Sequence, residues 1–165
     1  MNIRRVIRNL FLPPWRVRLV FSARTLRAIE TAIREAEAMH AGEIRFAVES
    51  GLPLFPLLRG QLARERALEV FSRLRVWDTQ LNNGVLIYLL LADRDVEIVA
   101  DRHAHVRVGA AGWEKICREM EALFREEKFE EGVLHGIRAV SAQLARHYPP
   151  HKQDSNELDD RPVVF

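Results

Sequence analysis

The stretch that decides the fold is NNGVLIYLLLADRDVEIVAD, which covers Asn82–Asp101. Its first half, Val85–Leu91, is an unbroken apolar run, too short to cross a bilayer and rich enough in Val, Ile and Leu to form a buried strand. In the second half, Val96 and Ile98 recur at every second position, which is the period of a half-buried strand. The two runs predict an antiparallel hairpin with one wholly apolar face, in which Leu91 lies opposite Val96.

Around this hairpin, one segment alternates as a strand and four have apolar residues at helical spacing. The strand is Ile44–Val48, the helices cover residues 22–41, 63–74, 113–124 and 133–144, and residues 50–60 are predicted to be a loop. A strand, a helix and a second strand in this order favour a right-handed crossover with parallel strands. The pattern predicts an α/β fold, an α/β/α sandwich whose mixed, mostly central β-sheet is covered by helices on both faces.

Polar side chains gather at one rim of this predicted sheet. Parallel strands begin at the same edge, so Glu43 and Asn83 should share a rim, and the hairpin should bring Asp101 to it. Asp78 lies in the connection that precedes Asn83. Oxygen-rich side chains suit Ca²⁺ or Mg²⁺, so these four residues are a candidate metal site. They also fit a structural interpretation, in which Asp101 caps the following segment and Glu43 is a solvated strand end.

The N-terminal segment, residues 1–21, has its own charge pattern. Residues 1–27 contain seven of the 25 basic side chains, and all 23 acidic ones follow later. Apolar residues recur at helical spacing between the arginines, at Ile3, Val6, Ile7 and Leu10. This pattern fits an interfacial helix on an anionic membrane surface, or a helix packed on its own domain or on a partner. The candidate contact residues are Arg4, Arg5, Arg8, Phe11 and Trp15.

Size and composition limit the classes of protein. A chain of 165 residues is one domain by the usual prior, with predicted boundaries at 1–21, 22–149 and 150–165. The single Cys117 excludes an internal disulfide and lies on an apolar helix face, which indicates a buried, inert thiol. Pro13-Pro14 interrupts the only N-terminal apolar run, so we expect no signal peptide and a cytoplasmic, membrane-peripheral protein. No base-reading motif is present, and we expect no nucleic-acid partner.

Several sequence blocks resemble one family in the same order. The NNGVL strand entry, the hairpin with its charged turn and the final Asp101 are similar to the TPM domain family. GEIRFAVE at Gly42–Glu49 resembles its first strand, and the block Phe129–Pro149 resembles its last helix. The likeness covers residues 22–149, and the ending NELDDRPVVF is typical of the short, soluble bacterial branch. Where the family more often has Asp-Arg-Gly, this chain has Asp-Arg-His at residues 101–103.

Two functions from different classes follow. The first is a non-catalytic binding or accessory module at the membrane, for which the resemblance implies a LemA-type protein as a partner. The second is a divalent-metal-dependent acid phosphatase, an activity attributed to the family, with its site at Glu43, Asn83 and Asp101. No Walker loop, GxGxxG, HExxH or CxxC motif is present, and the catalytic residues are unknown. Carboxylates converging on a cavity would favour the phosphatase, and acids engaged by backbone donors would favour the binding module.

Overall fold

The computed structural model describes residues 3–11, 13, 15–150 and 156–165, and the side chains of Ile3, Arg4 and Phe11 lie outside this description. The described chain folds into helices and strands in the order α1 (Ile3–Phe11), α2 (Trp15–Val20), α3 (Ala23–Glu37), β1 (Ile44–Glu49), α4 (Leu54–Leu58), α5 (Ala63–Arg73), β2 (Val85–Leu90), β3 (Asp95–Ala100), α6 (Arg102–Val108), α7 (Ala110–Arg125), α8 (Phe129–His147) and β4 (Val163–Val164). None of the described helices is both long enough and apolar enough to span a membrane.

The sheet has the strand order β3-β2-β1-β4. β1 and β2 are parallel, with Ile44 opposite Val85, and β2 and β3 form the antiparallel hairpin. β4 comes from the C-terminal end of the chain and pairs in parallel with β1, with Ala47 opposite Val163. The predicted crossover and mixed sheet are confirmed, and β4 extends the sheet by one strand that the periodicity did not indicate.

The predicted register of the hairpin was wrong by two residues. Val96 lies opposite Leu89, not Leu91. The reason is that Leu91 and Ala92 continue the pairing with β1, because their N–H groups donate to the carbonyls of Glu49 and Ser50, both at 2.9 Å. The turn therefore occupies residues 91–94, and Arg94 closes it with a φ of 53°. A shift of two residues preserves the face on which each side chain lies, so the apolar face was assigned correctly.

Both faces of the sheet are buried. Ile44, Phe46 and Ile87 face a core built from α3, α7 and α8, whereas Leu86 and Tyr88 face a second core under α5. Burial on both faces explains why β2 is apolar at every position. The predicted α/β/α sandwich is confirmed.

The spacing of apolar residues predicted the long helices correctly, but it did not indicate the short helices α4 and α6. Ser22 caps α3 at the start of the predicted helix, since the N–H of Thr25 donates to its Oγ at 3.2 Å. α4 lies inside the predicted loop, with Pro56 in its first turn, where the missing N–H costs nothing. α6 follows directly after Asp101. The sequence did not indicate this helix, because the short segment RHAHVRV shows no continuous apolar face.

Candidate functional site

The strand ends form the predicted rim around Gly84. The Glu43 carbonyl accepts the N–H of Val85 at 2.8 Å, and the Asp101 N–H donates to the Gly84 carbonyl at 2.8 Å. A Cβ on Gly84 would lie 2.0 Å from the Val76 carbonyl oxygen, so this position admits no side chain. The backbones of Glu43, Asn83 and Asp101 therefore meet at one edge of the sheet, as the topology required.

The side chains at this rim are engaged by the protein itself. The buried Glu43 carboxylate accepts the N–H groups of Glu157 and Leu158, at 3.2 and 3.0 Å. Asn83 is fully buried, and its Nδ2 donates to the Ala41 carbonyl at 2.6 Å. Asp101 is the N-cap of α6, and its Oδ1 accepts the N–H of Arg102 at 2.6 Å. The Asp101 cap matches the structural interpretation of the rim. The expectation that Glu43 is a solvated strand end was wrong, because residues 157 and 158 pack over its carboxylate and leave Glu43 only 4% exposed.

Two oxygens at the rim have unused acceptor capacity. Asn83 Oδ1 and Asp101 Oδ2 are buried and have no hydrogen-bond partner among the described residues. Asp78 is exposed in the turn before β2. The described residues contain no group of three or more His, Cys, Asp or Glu side chains that could hold a metal ion. Binding of Ca²⁺ or Mg²⁺ by Glu43, Asp78, Asn83 and Asp101 stays a prediction.

The C-terminal segment, residues 156–165, covers the rim and the outer edge of β1. Under it lies a buried polar cluster that sequence reasoning missed. The Glu37 carboxylate accepts the N–H of Ile44 at 2.7 Å and shares a hydrogen bond with Asp160. Burial, with the nearby carboxylates of Glu43 and Asp160, raises the pKa of Glu37 to about 9. Glu37 is therefore a neutral acid at pH 7, and it binds the C-terminal segment as a proton donor.

The N-terminal helix α1 lies at the opposite end of the sheet, against the hairpin turn. The buried Asp93 carboxylate accepts hydrogen bonds from Arg5 Nε at 2.7 Å, from Arg8 Nη2 at 2.5 Å and from Asn9 Nδ2 at 3.0 Å. Burial alone would raise the pKa of Asp93, but the hydrogen bonds from Arg5 and Arg8 hold it below its usual value. Asn9 Oδ1 also accepts the N–H of Leu52 at 3.0 Å. These hydrogen bonds hold α1 against its own domain, which agrees with the predicted alternative of a helix packed on its own domain.

The outer side of the N-terminal helices exposes apolar residues. α1 contacts α4, and the two helices with α2 form what we call the N-terminal surface. Its half-exposed to strongly exposed apolar side chains are Ile7, Leu10, Trp15, Leu19, Leu54, Phe55 and Leu58. Its exposed arginines are Arg8, Arg16, Arg18 and Arg59. Of the predicted contact residues, Arg5 and Arg8 bind Asp93, Trp15 is exposed, and the side chains of Arg4 and Phe11 lie outside the described part. Exposed apolar residues mark an interaction surface where they form a contiguous patch.

A groove of about 410 Å³ runs along the edge strand β3, between α5 and α7. Its lining includes the acids Asp95, Glu97 and Glu121, and Arg64 Nη1 covers the strand edge by donating to the Ile98 carbonyl at 2.6 Å. Burial raises the pKa values of Asp95 and Glu97, and it raises that of the Cys117 thiol to about 12. The thiol is protonated at neutral pH, so this groove has no thiolate nucleophile.

The comparisons with known proteins cover most of the chain. The model of the TPM domain family matches residues 18–143. The chain is similar to the solved BA42 protein from the psychrophilic bacterium Bizionia argentinensis sp. nov., with 30% identity and a TM-score of 0.76 over 86% of this chain and 93% of that one. It also shares its fold with the N-terminal domain of a P. gingivalis protein, with 19% identity and a TM-score of 0.65 over 85% and 94% of the two chains. No curated protein matches the chain.

Proposed function

Because the chain belongs to the TPM domain family, we propose that it is a non-catalytic binding module that docks on an anionic membrane through its N-terminal surface. The observation that supports this proposal is the set of exposed apolar residues on α1, α2 and α4, three helices that also carry or adjoin exposed arginines. Phe55, with 76% of its surface exposed, is the most prominent member. The proposal places the protein at the cytoplasmic face of the membrane, where anionic lipids attract basic segments.

The N-terminal surface has the two components of interfacial binding. Its apolar side chains gain free energy by leaving water for the acyl boundary, and each arginine near an anionic surface adds about 1 kcal/mol. The Asp93 carboxylate already holds α1 in place through Arg5, Arg8 and Asn9. Little ordering entropy is then lost on binding, because the helix is formed and oriented beforehand.

The rim supports a binding module more than an enzyme. Glu43 and Asp101 accept backbone N–H groups, so their carboxylates act as structural acceptors. One observation favours the second candidate, a divalent-metal-dependent acid phosphatase. The unpartnered Asn83 Oδ1 and Asp101 Oδ2 are oxygen acceptors of the kind that Ca²⁺ or Mg²⁺ uses. The described residues at the rim offer no recognisable nucleophile, so this candidate requires a metal-activated water.

Cosedimentation with lipid vesicles tests the membrane proposal. Phe55→Asp removes an apolar anchor and adds a repelling charge, so binding to phosphatidylcholine vesicles containing phosphatidylglycerol should fall at least about tenfold. Val106→Asp is the matched control, because Val106 is equally exposed, at 75%, on the distant helix α6. Equal binding by the two variants would refute the proposal. Binding to native membranes without binding to pure lipid would point instead to a membrane protein, such as the LemA-type partner.

A further inference from the structure

A small cavity of about 170 Å³ lies between α1, α2 and the hairpin turn, and three arginines line it. We call it the arginine pocket. Arg8 comes from α1, Arg16 from α2 and Arg94 from the turn, so the three guanidinium groups arrive from separate parts of the chain. Leu91 and Phe129 supply an apolar wall, and Glu127 is the one acid among the described residues of the lining. The lining has a clear excess of positive charge.

Two of the three guanidinium groups are held in place. Arg8 is bound by the buried Asp93, which Arg5 also neutralises. Arg94 is paired with Glu127, and its guanidinium lies 6.0 Å from the centre of the Phe129 ring. Arg16 has no ion pair with any described residue. Three guanidinium groups that line one cavity, one of them without a carboxylate partner, present several charged hydrogen-bond donors to a single anion.

The backbone at this pocket adopts a conformation that most residues avoid. Arg94 has a φ of 53° and Glu127 a φ of 61°, in the left-handed region where glycine and asparagine are favoured. The two residues meet through their side chains in the wall of the same cavity.

From this geometry we infer that the arginine pocket binds a phosphate monoester group. A guanidinium group can bind two phosphate oxygens at once through a pair of parallel, charge-assisted hydrogen bonds. Lysine and uncharged backbone N–H groups cannot reproduce this paired geometry. The volume suits a phosphate and its ester oxygen and is below the range of pockets for drug-sized ligands. The ligand is the headgroup of a monoester phospholipid or a free phosphorylated compound. A phospholipid headgroup as the ligand rests on the proposed membrane function, in which Arg8 and Arg16 belong to the N-terminal surface. A free phosphorylated compound as the ligand does not.

Titration of the full chain with inorganic phosphate tests the pocket without any membrane. Amide resonances of Leu91, Ala92 and Arg94 should shift together on addition of phosphate. Arg16→Gln should raise the apparent Kd about tenfold, because it removes the guanidinium that is not committed to a carboxylate. Arg18→Gln is the matched control, since Arg18 is exposed on the same helix and lies outside the pocket, and it should leave the Kd unchanged. Shifts that are absent, or that are the same for Arg16→Gln and wild type, would overturn the inference.

Vesicles then identify the source of the phosphate. Phosphatidate presents a monoester and phosphatidylglycerol a diester, so the two are compared at equal total anionic charge. A preference for phosphatidate that Arg16→Gln abolishes confirms the pocket with a lipid ligand. Phosphate binding without such a preference confirms it with a free phosphorylated compound. Vesicle binding that survives while phosphate binding fails overturns the pocket and leaves the membrane module standing.

Discussion

Glu37 should make the folded protein less stable as the pH rises through neutrality. The unfolded chain releases this proton near pH 4.5, whereas the folded protein holds it to about pH 9, because burial disfavours the carboxylate. Over this window the folded state binds one proton more than the unfolded state. The stabilisation is fully present below pH 4.5 and is lost as the pH rises towards 9.

The magnitude follows from proton linkage. One differentially bound proton changes the free energy of unfolding by about 1.4 kcal/mol per pH unit, so the interval from about pH 5 to about pH 7.5 gives at most about 3.4 kcal/mol. Glu37 retains partial contact with solvent, which reduces the expected change to about 1–2 kcal/mol. Glu37→Gln removes the proton and keeps both contacts, since the amide oxygen can accept the Ile44 N–H and the amide nitrogen can donate to Asp160. The variant should match wild type near pH 5 and exceed its stability by about 1–2 kcal/mol near pH 7.5.

Denaturant unfolding at a series of pH values measures this difference. Glu35→Gln is the control, because Glu35 is exposed on the same helix α3 and should leave the pH dependence of wild type unchanged. Parallel stability curves for wild type and Glu37→Gln would show that Glu37 is ionised in the folded protein. The account of the buried cluster under residues 156–165 would then be wrong.

Two further predictions concern the sheet and its rim. Leu89 is fully buried in the central strand β2, so Leu89→Ala should lower the free energy of unfolding by about 2–5 kcal/mol, and a loss below about 1 kcal/mol would contradict a central position. Ca²⁺ or Mg²⁺ should shift the amide resonances of Glu43, Asn83 and Asp101 together with weak affinity, and Asp101→Asn should reduce the shifts, along with any metal-dependent phosphatase activity, while the hairpin stays formed. Shifts confined to the acidic tail, Asp154–Asp160, would refute the rim site.

The sequence by itself determined the elements whose signals are local. The period-2 run in β3, the unbroken apolar run in β2 and the helical spacing of α5, α7 and α8 depend on neighbouring residues, and each was assigned correctly. The parallel crossover followed from element order alone. The position of Glu43 and Asn83 at one edge of the sheet could then be predicted, because parallel strands start at the same edge.

Only the tertiary structure decided what covers each end of the sheet. The Glu43 carboxylate binds N–H groups 114 and 115 residues away, and Arg5 reaches Asp93 across 88 residues. No periodicity connects such positions, since a hydrogen bond between distant segments leaves no pattern along the chain. The pKa of Glu37 depends on burial and on the carboxylates of Glu43 and Asp160, and the arginine pocket depends on separate segments meeting at the turn. Chemistry at these sites therefore arises from the fold, because desolvation and charge proximity exist only once distant segments have packed together.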